Sequence, residues 1–105
     1  MPDPAALSVV RDNIDAIDRR LVELIAKREQ WVIRAGSLKS DDAAVRAPAR
    51  VEQVIEKVRT LATVAGASPE VVEHTYRAMI EAFIELELNT SAESRADSAS
   101  VPERG

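Results

Sequence analysis

The chain has 105 residues, 46% apolar and 30% charged, which is enough to bury one core and stay in solution. Its 3% of aromatics and three glycines argue against an all-β sandwich or barrel, while abundant Ala, Leu, Glu and Arg favour helix. With no cysteine there is no disulfide, thiolate nucleophile or cysteine-based zinc site, the single histidine excludes a histidine-rich metal site, and a formal charge of −4 disfavours general nucleic-acid binding.

The N-terminus, Met1-Pro2-Asp3-Pro4, is acidic and lacks a basic-then-apolar leader pattern. No run of about 18 apolar residues occurs, so no membrane span is expected and the expected compartment is the cytoplasm. From about Pro4 to Ser40, apolar residues recur at Leu7, Val10, Ile14, Ile17, Leu21 and Leu24, then at Val32, Ala35 and Leu38. Spacings alternating between three and four predict one long amphipathic helix with a coiled-coil-like seam. Gly36 is its weak point, costing about 1 kcal/mol against alanine.

A short polar link, residues 40–46, leads to a second helix that starts at Pro48, a favourable first-turn residue. Val51, Val54, Ile55, Val58, Leu61 and Ala62 make its apolar face, and Gly66 stops it. Ser68-Pro69-Glu70 opens a third helix as N-cap, first-turn proline and dipole-favouring carboxylate. Val72, Tyr76, Met79, Ile80, Phe83 and Ile84 face inward from it. After Thr90 the sequence turns small and polar, so residues 1–90 are expected to form the domain and 91–105 a disordered tail.

A helix of about 35 residues is about 50 Å long, against a radius of gyration of about 13 Å for a compact monomer of this size. The long seam therefore calls for a partner, most simply a second copy in a two-fold dimer. A break at Gly36 or earlier would instead give a small four-helix monomer.

Three charged residues stand where apolar ones are expected. Arg28 continues the seam seven residues after Leu21 and four after Leu24. Lys39 follows eleven residues later, about 20° past three full turns and about 16 Å along the axis. Glu87 follows Tyr76, Ile80 and Phe83 at helical intervals. A carboxyl group there is partly desolvated, which favours its neutral form, whereas neighbouring cations favour the charged form. Simpler readings stand beside these: Arg28 snorkelling to water, Lys39 complementing a helix dipole, Glu87 exposed at a fraying helix end. His74 reads as a surface histidine, and Trp31 and Tyr76 as packing residues. Arg11 lies about 25 Å before Arg28 and about 100° around the helix. It cannot serve the same small ligand within one chain, but in an antiparallel dimer it can serve the other subunit's.

The pattern Arg11-x2-Ile14-Asp15-x-Ile17-Asp18-x2-Leu21-x2-Leu24-x3-Arg28, then Lys39, resembles the all-helical AroQ-type chorismate mutases and their relative isochorismate pyruvate-lyase. The resemblance covers about residues 7–90, and Ala47-Pro48-Ala49-Arg50-Val51 looks like the segment that opens the second helix in the lyase branch. It implies an all-α fold of three helices in an intertwined homodimer, with two active sites that each borrow Arg11 from the partner. It also implies that Arg28 binds a carboxylate of a small dicarboxylate substrate, that Lys39 bonds the ether oxygen and a carboxylate, that Arg50 lies near the site, and that Glu87 faces the ether oxygen. Ala47 and Val51 stand where typical mutases carry acidic residues that contact the substrate hydroxyl and the lysine network, and Phe83 where a small polar residue is common. These three lean toward the lyase, while Glu87 leans toward mutases that use glutamate.

The reaction implied is the pericyclic conversion of chorismate to prephenate in aromatic amino-acid biosynthesis, which needs no cofactor or metal. Formation of salicylate and pyruvate from isochorismate is the nearest alternative. A non-catalytic helical dimer module is the alternative of a different class, and it predicts that Arg28, Lys39 and Glu87 are dispensable. An activating partner enzyme of the shikimate route is compatible with the sequence, which does not identify one.

Overall fold

The computed structural model describes residues 3–39 and 41–100, with side chains up to Thr90. Among the described residues four helices follow in order: α1 (Pro4–Ser37), α2 (Asp42–Arg46), α3 (Pro48–Ala65) and α4 (Pro69–Ser100). The fold is all-α, and no strand occurs among the described residues. The chain divides between Arg34 and Ala35 into two compact units.

In the first unit α1 carries the periodic seam with no interruption. Asp3 starts it, its carboxylate accepting the Ala5 N–H at 3.0 Å. No residue of α1 is buried. The seam is about half-exposed, from 48% at Leu24 to 59% at Ile17. Trp31, read above as a packing residue, is 67% exposed, and the Arg34 guanidinium lies 5.5 Å from its ring centroid. At helical i,i+3 spacing the two side chains share one face, which sets the cation against the indole.

The second unit holds the core. α1 ends at Ser37, three residues before the expected limit. Leu38 and Lys39 then donate their N–H groups to the Ala35 and Gly36 carbonyls, each at 3.1 Å, a three-residue spacing that tightens the chain out of the helix. The short polar link contains α2. Asp41 caps it by accepting the Ala44 N–H at 2.8 Å, and Ala47 closes it in the left-handed region at φ 35°. A side chain pays a steric cost there, and the helix-compatible Pro48 that follows starts α3 at once.

α3 and α4 pack along each other, and α2 packs against α4. Ile55, Val58 and Ala62 recur at intervals of three and four on α3 and are buried. Val45 joins them from α2, and Phe83 and Ile84 from α4. Each large side chain so buried contributes about 1.5–3 kcal/mol. Leu61, assigned to the inner face, points out and is 57% exposed. It lies 100° from Ala62, at the edge of the stripe, and the small Ala62 takes the inner position.

The turn between the long helices forms as its residues dictate. Gly66 has φ 80°, and the Ala67 N–H reaches back to the Ala62 carbonyl at 2.8 Å in a Schellman closure. Ser68 Oγ accepts the Val71 N–H at 3.3 Å as N-cap. At the far end α4 runs on from Thr90 to Ser100, into the segment expected to be a disordered tail. Residues 91–100 contain neither glycine nor proline to stop it. The rest of that expected tail, residues 101–105, lies outside the described residues.

Candidate functional site

Glu87 sits in the interior of α4, one turn beyond Phe83 on the same face. Because the helix continues past it, it is not at a fraying end. Its side chain is 6% exposed. A carboxyl group so far from water needs a partner, and the turn after α1 supplies one. Lys39 Nζ donates to Glu87 Oε2 at 3.3 Å, with the lysine side chain 27% exposed.

The pair therefore has a buried acidic end and a cationic end that reaches solvent. Its separation exceeds the roughly 2.7–2.9 Å of a tight charge-assisted bond. An ammonium has three N–H donors, and the contact with Glu87 engages one of them. Such a group can hold an anion while remaining beside the carboxyl.

Lys39 and Glu87 are thus two predicted residues, 48 positions apart in sequence, that the fold brings into direct contact. Phe83 is buried on α4 next to Ile84. Ala47 is half-buried at the α2–α3 junction, and Val51, also half-buried, donates its N–H to the Ala47 carbonyl at 3.1 Å. Arg50 is exposed, and its Nη1 donates to Gln53 Oε1 at 2.7 Å. Arg11 and Arg28 belong to the first unit, where Arg11 is exposed and Arg28 half-buried. His74 is exposed, as expected of a surface histidine. Among the described residues no group of three His, Cys, Asp or Glu side chains is arranged to hold a metal ion. Nor is any helix among them long and apolar enough to cross a membrane.

Gly36 belongs beside this pair, although the sequence pattern marks it only as a helix weak point: a Cβ placed on it would lie 2.8 Å from Glu87 Oε2. The signal for it is a glycine inside a helical pattern, three residues before the unusual lysine.

Comparison with known proteins adds an independent line. Residues 10–88 match the family model for chorismate mutase type II. The chain is 32% identical over 74 residues to the T-protein of Enterobacter agglomerans, covering 70% of this chain and 20% of that protein. It is 34% identical over 73 residues to the T-protein of Haemophilus influenzae, covering 69% and 19%. The chain thus spans about a fifth of the length of these T-proteins. It is also 29% identical over 82 residues to the isochorismate pyruvate lyase of Pseudomonas aeruginosa, covering 78% of this chain and 81% of that one. With the family model matched over most of the chain, on an all-helical fold, the protein belongs to the chorismate mutase type II (AroQ) family.

Proposed function

We propose that the protein is a chorismate mutase that converts chorismate to prephenate. The observation that carries this reading is the solvent-reaching Lys39 ammonium set 3.3 Å from the buried Glu87 carboxyl group, in a chain of this family.

The reaction is a concerted rearrangement in which the ether C–O bond breaks as a C–C bond forms. It needs no nucleophile. Two physical effects are open to the protein: holding the dicarboxylate in its compact conformer, and stabilising negative charge as it develops on the ether oxygen. Arg28, with Arg11 from a second copy, clamps the two carboxylates, a task suited to the bidentate guanidinium. Lys39 donates to the ether oxygen and to a carboxylate. Glu87 in its neutral form donates to the ether oxygen. One such donor is worth about 2.7–4 kcal/mol of barrier.

The exposed seam of α1 supports a second copy. Its seam has no buried residue, and an apolar stripe of that length left half in water is an interface awaiting a partner. The proposed state is a homodimer paired through α1, with Arg11 crossing to the other subunit's site. Arg50, Ala47, Val51 and Phe83 line the substrate in this reading, and Phe83, Ala47 and Val51 set which isomer is accepted. The place of work is the cytoplasm, in the synthesis of aromatic amino acids.

A second reading is favoured by one observation, the similarity to a lyase over 81% of that protein's length. It is cleavage of isochorismate to salicylate and pyruvate. Both are tested by supplying the purified chain with chorismate and isochorismate separately. Saturable prephenate formation from chorismate is expected. Salicylate and pyruvate with little prephenate assign the lyase, and turnover of neither substrate overturns both readings.

A further inference from the structure

Gly36 stands where α1 gives way to the turn that carries Lys39. It is half-buried, and its backbone is helical, a conformation any residue adopts. What the position requires is therefore space rather than backbone freedom. A Cβ there would lie 2.8 Å from Glu87 Oε2, 3.2 Å from Cδ and 3.4 Å from Cγ. The first distance is shorter than real contacts allow, and all three atoms belong to Glu87.

The end of a flexible side chain ordinarily yields to a methyl group at small cost to the fold. Here the oxygen that has to yield is the same Oε2 that accepts the Lys39 hydrogen bond. We propose that Gly36 is a positioning residue: by leaving its Cβ space empty, it seats the Glu87 carboxyl group against Lys39 and so fixes the geometry of the donor pair. This rests on the proposed roles of Lys39 and Glu87. It goes beyond them in making the bare helix surface at residue 36 a condition of the site.

The experiment compares the full-length wild-type chain with Gly36→Ala, Glu87→Asp, the double variant and Glu87→Ala. Product is measured from whichever of chorismate and isochorismate the wild type converts, alongside thermal unfolding. Gly36→Ala is expected to lower kcat about tenfold or more, with KM within about twofold, because the arginine clamp is untouched. Its Tm is expected to hold or rise, since alanine is the better helix former. Glu87→Asp withdraws the carboxyl group by one bond, about 1.5 Å, which makes room for the methyl. The double variant is therefore expected to lose less than the product of the two single losses.

Gly36→Ala with wild-type kcat, or losses that simply multiply, overturns the proposal. So does a Gly36→Ala chain that unfolds and is not restored by Glu87→Asp. Glu87→Ala separates the two levels. If it abolishes turnover while Gly36→Ala does not, the Gly36 proposal alone is overturned. If it leaves turnover intact, the assigned role of Glu87 falls, and the proposal with it.

Discussion

A neutral carboxyl group donates one hydrogen bond, whereas a carboxylate only accepts. The proposed role of Glu87 needs the donor, and the residue is buried with the Lys39 ammonium beside it. Glu87→Gln keeps an N–H donor at that place, so its kcat is expected to stay well above that of Glu87→Ala, which offers none. A glutamine chain as slow as the alanine chain removes the donor role of Glu87. Lys39→Ala is expected to cost about tenfold to a thousandfold in kcat, since it removes one donor and leaves a buried carboxyl group without its partner. Measured kcat within twofold of wild type excludes Lys39 as a donor.

Between elements, α3 and α4 are joined by charge as well as by core. Arg77 holds Glu52 of α3 in a two-pronged contact at 2.8 and 2.9 Å, and its Nε donates to Glu73 at 2.8 Å. Arg59 of α3 meets Glu73 at 2.8 Å and Glu70 at 3.5 Å. Hydrogen bonds from Arg77 hold the Glu52 and Glu73 carboxyl groups below the ordinary carboxylate value of 4.5. Glu70 is lowered first by its backbone hydrogen bond, then by Ser68 and Arg59. Groups lowered on folding contribute stability that is complete above about 4.5 and is lost as pH falls through their folded values. Glu52, Glu70 and Arg77 are exposed to solvent and Glu73 is half-buried, so the contribution is small and screened by salt. Urea unfolding of the wild type is expected to show stability falling below about pH 4.5. Arg77→Gln is expected to show a shallower fall over the same range. Equal slopes leave the carboxyl groups uncoupled from folding.

These helices were largely legible from local chemistry. The period of apolar residues and the Gly66 and Ser68-Pro69 signals mark α3 and the start of α4, because caps and stops act within a few residues. The arginine network and the seating of Glu87 over the Cβ space of Gly36 were not. Each joins residues whose meeting depends on how one helix packs on another, which periodicity does not encode. The outward Leu61 has the same origin, since a residue at the edge of a stripe is turned in or out by its neighbours in space, whereas Trp31 stands on α1, none of whose residues is buried.

For the whole molecule, the decisive feature is that α1 buries nothing of its own. Arg11 and Arg28 both lie on it, too far apart along the helix to hold one small ligand together, so a site that uses both has to draw them from two copies. This has an arithmetic consequence. A dimer of one Arg11→Ala chain and one Arg28→Ala chain contains one site that lacks both arginines and one that has both. Random exchange makes about half of all dimers mixed, and half of their sites intact, so two inactive proteins are expected to regain about a quarter of wild-type turnover on mixing. Tagged subunits that copurify after mixing prove the exchange, and sedimentation establishes the dimer. Recovery near a quarter supports the crossed arginine. Proven exchange with no recovery overturns the crossed arginine, and the seam of α1 then serves association alone.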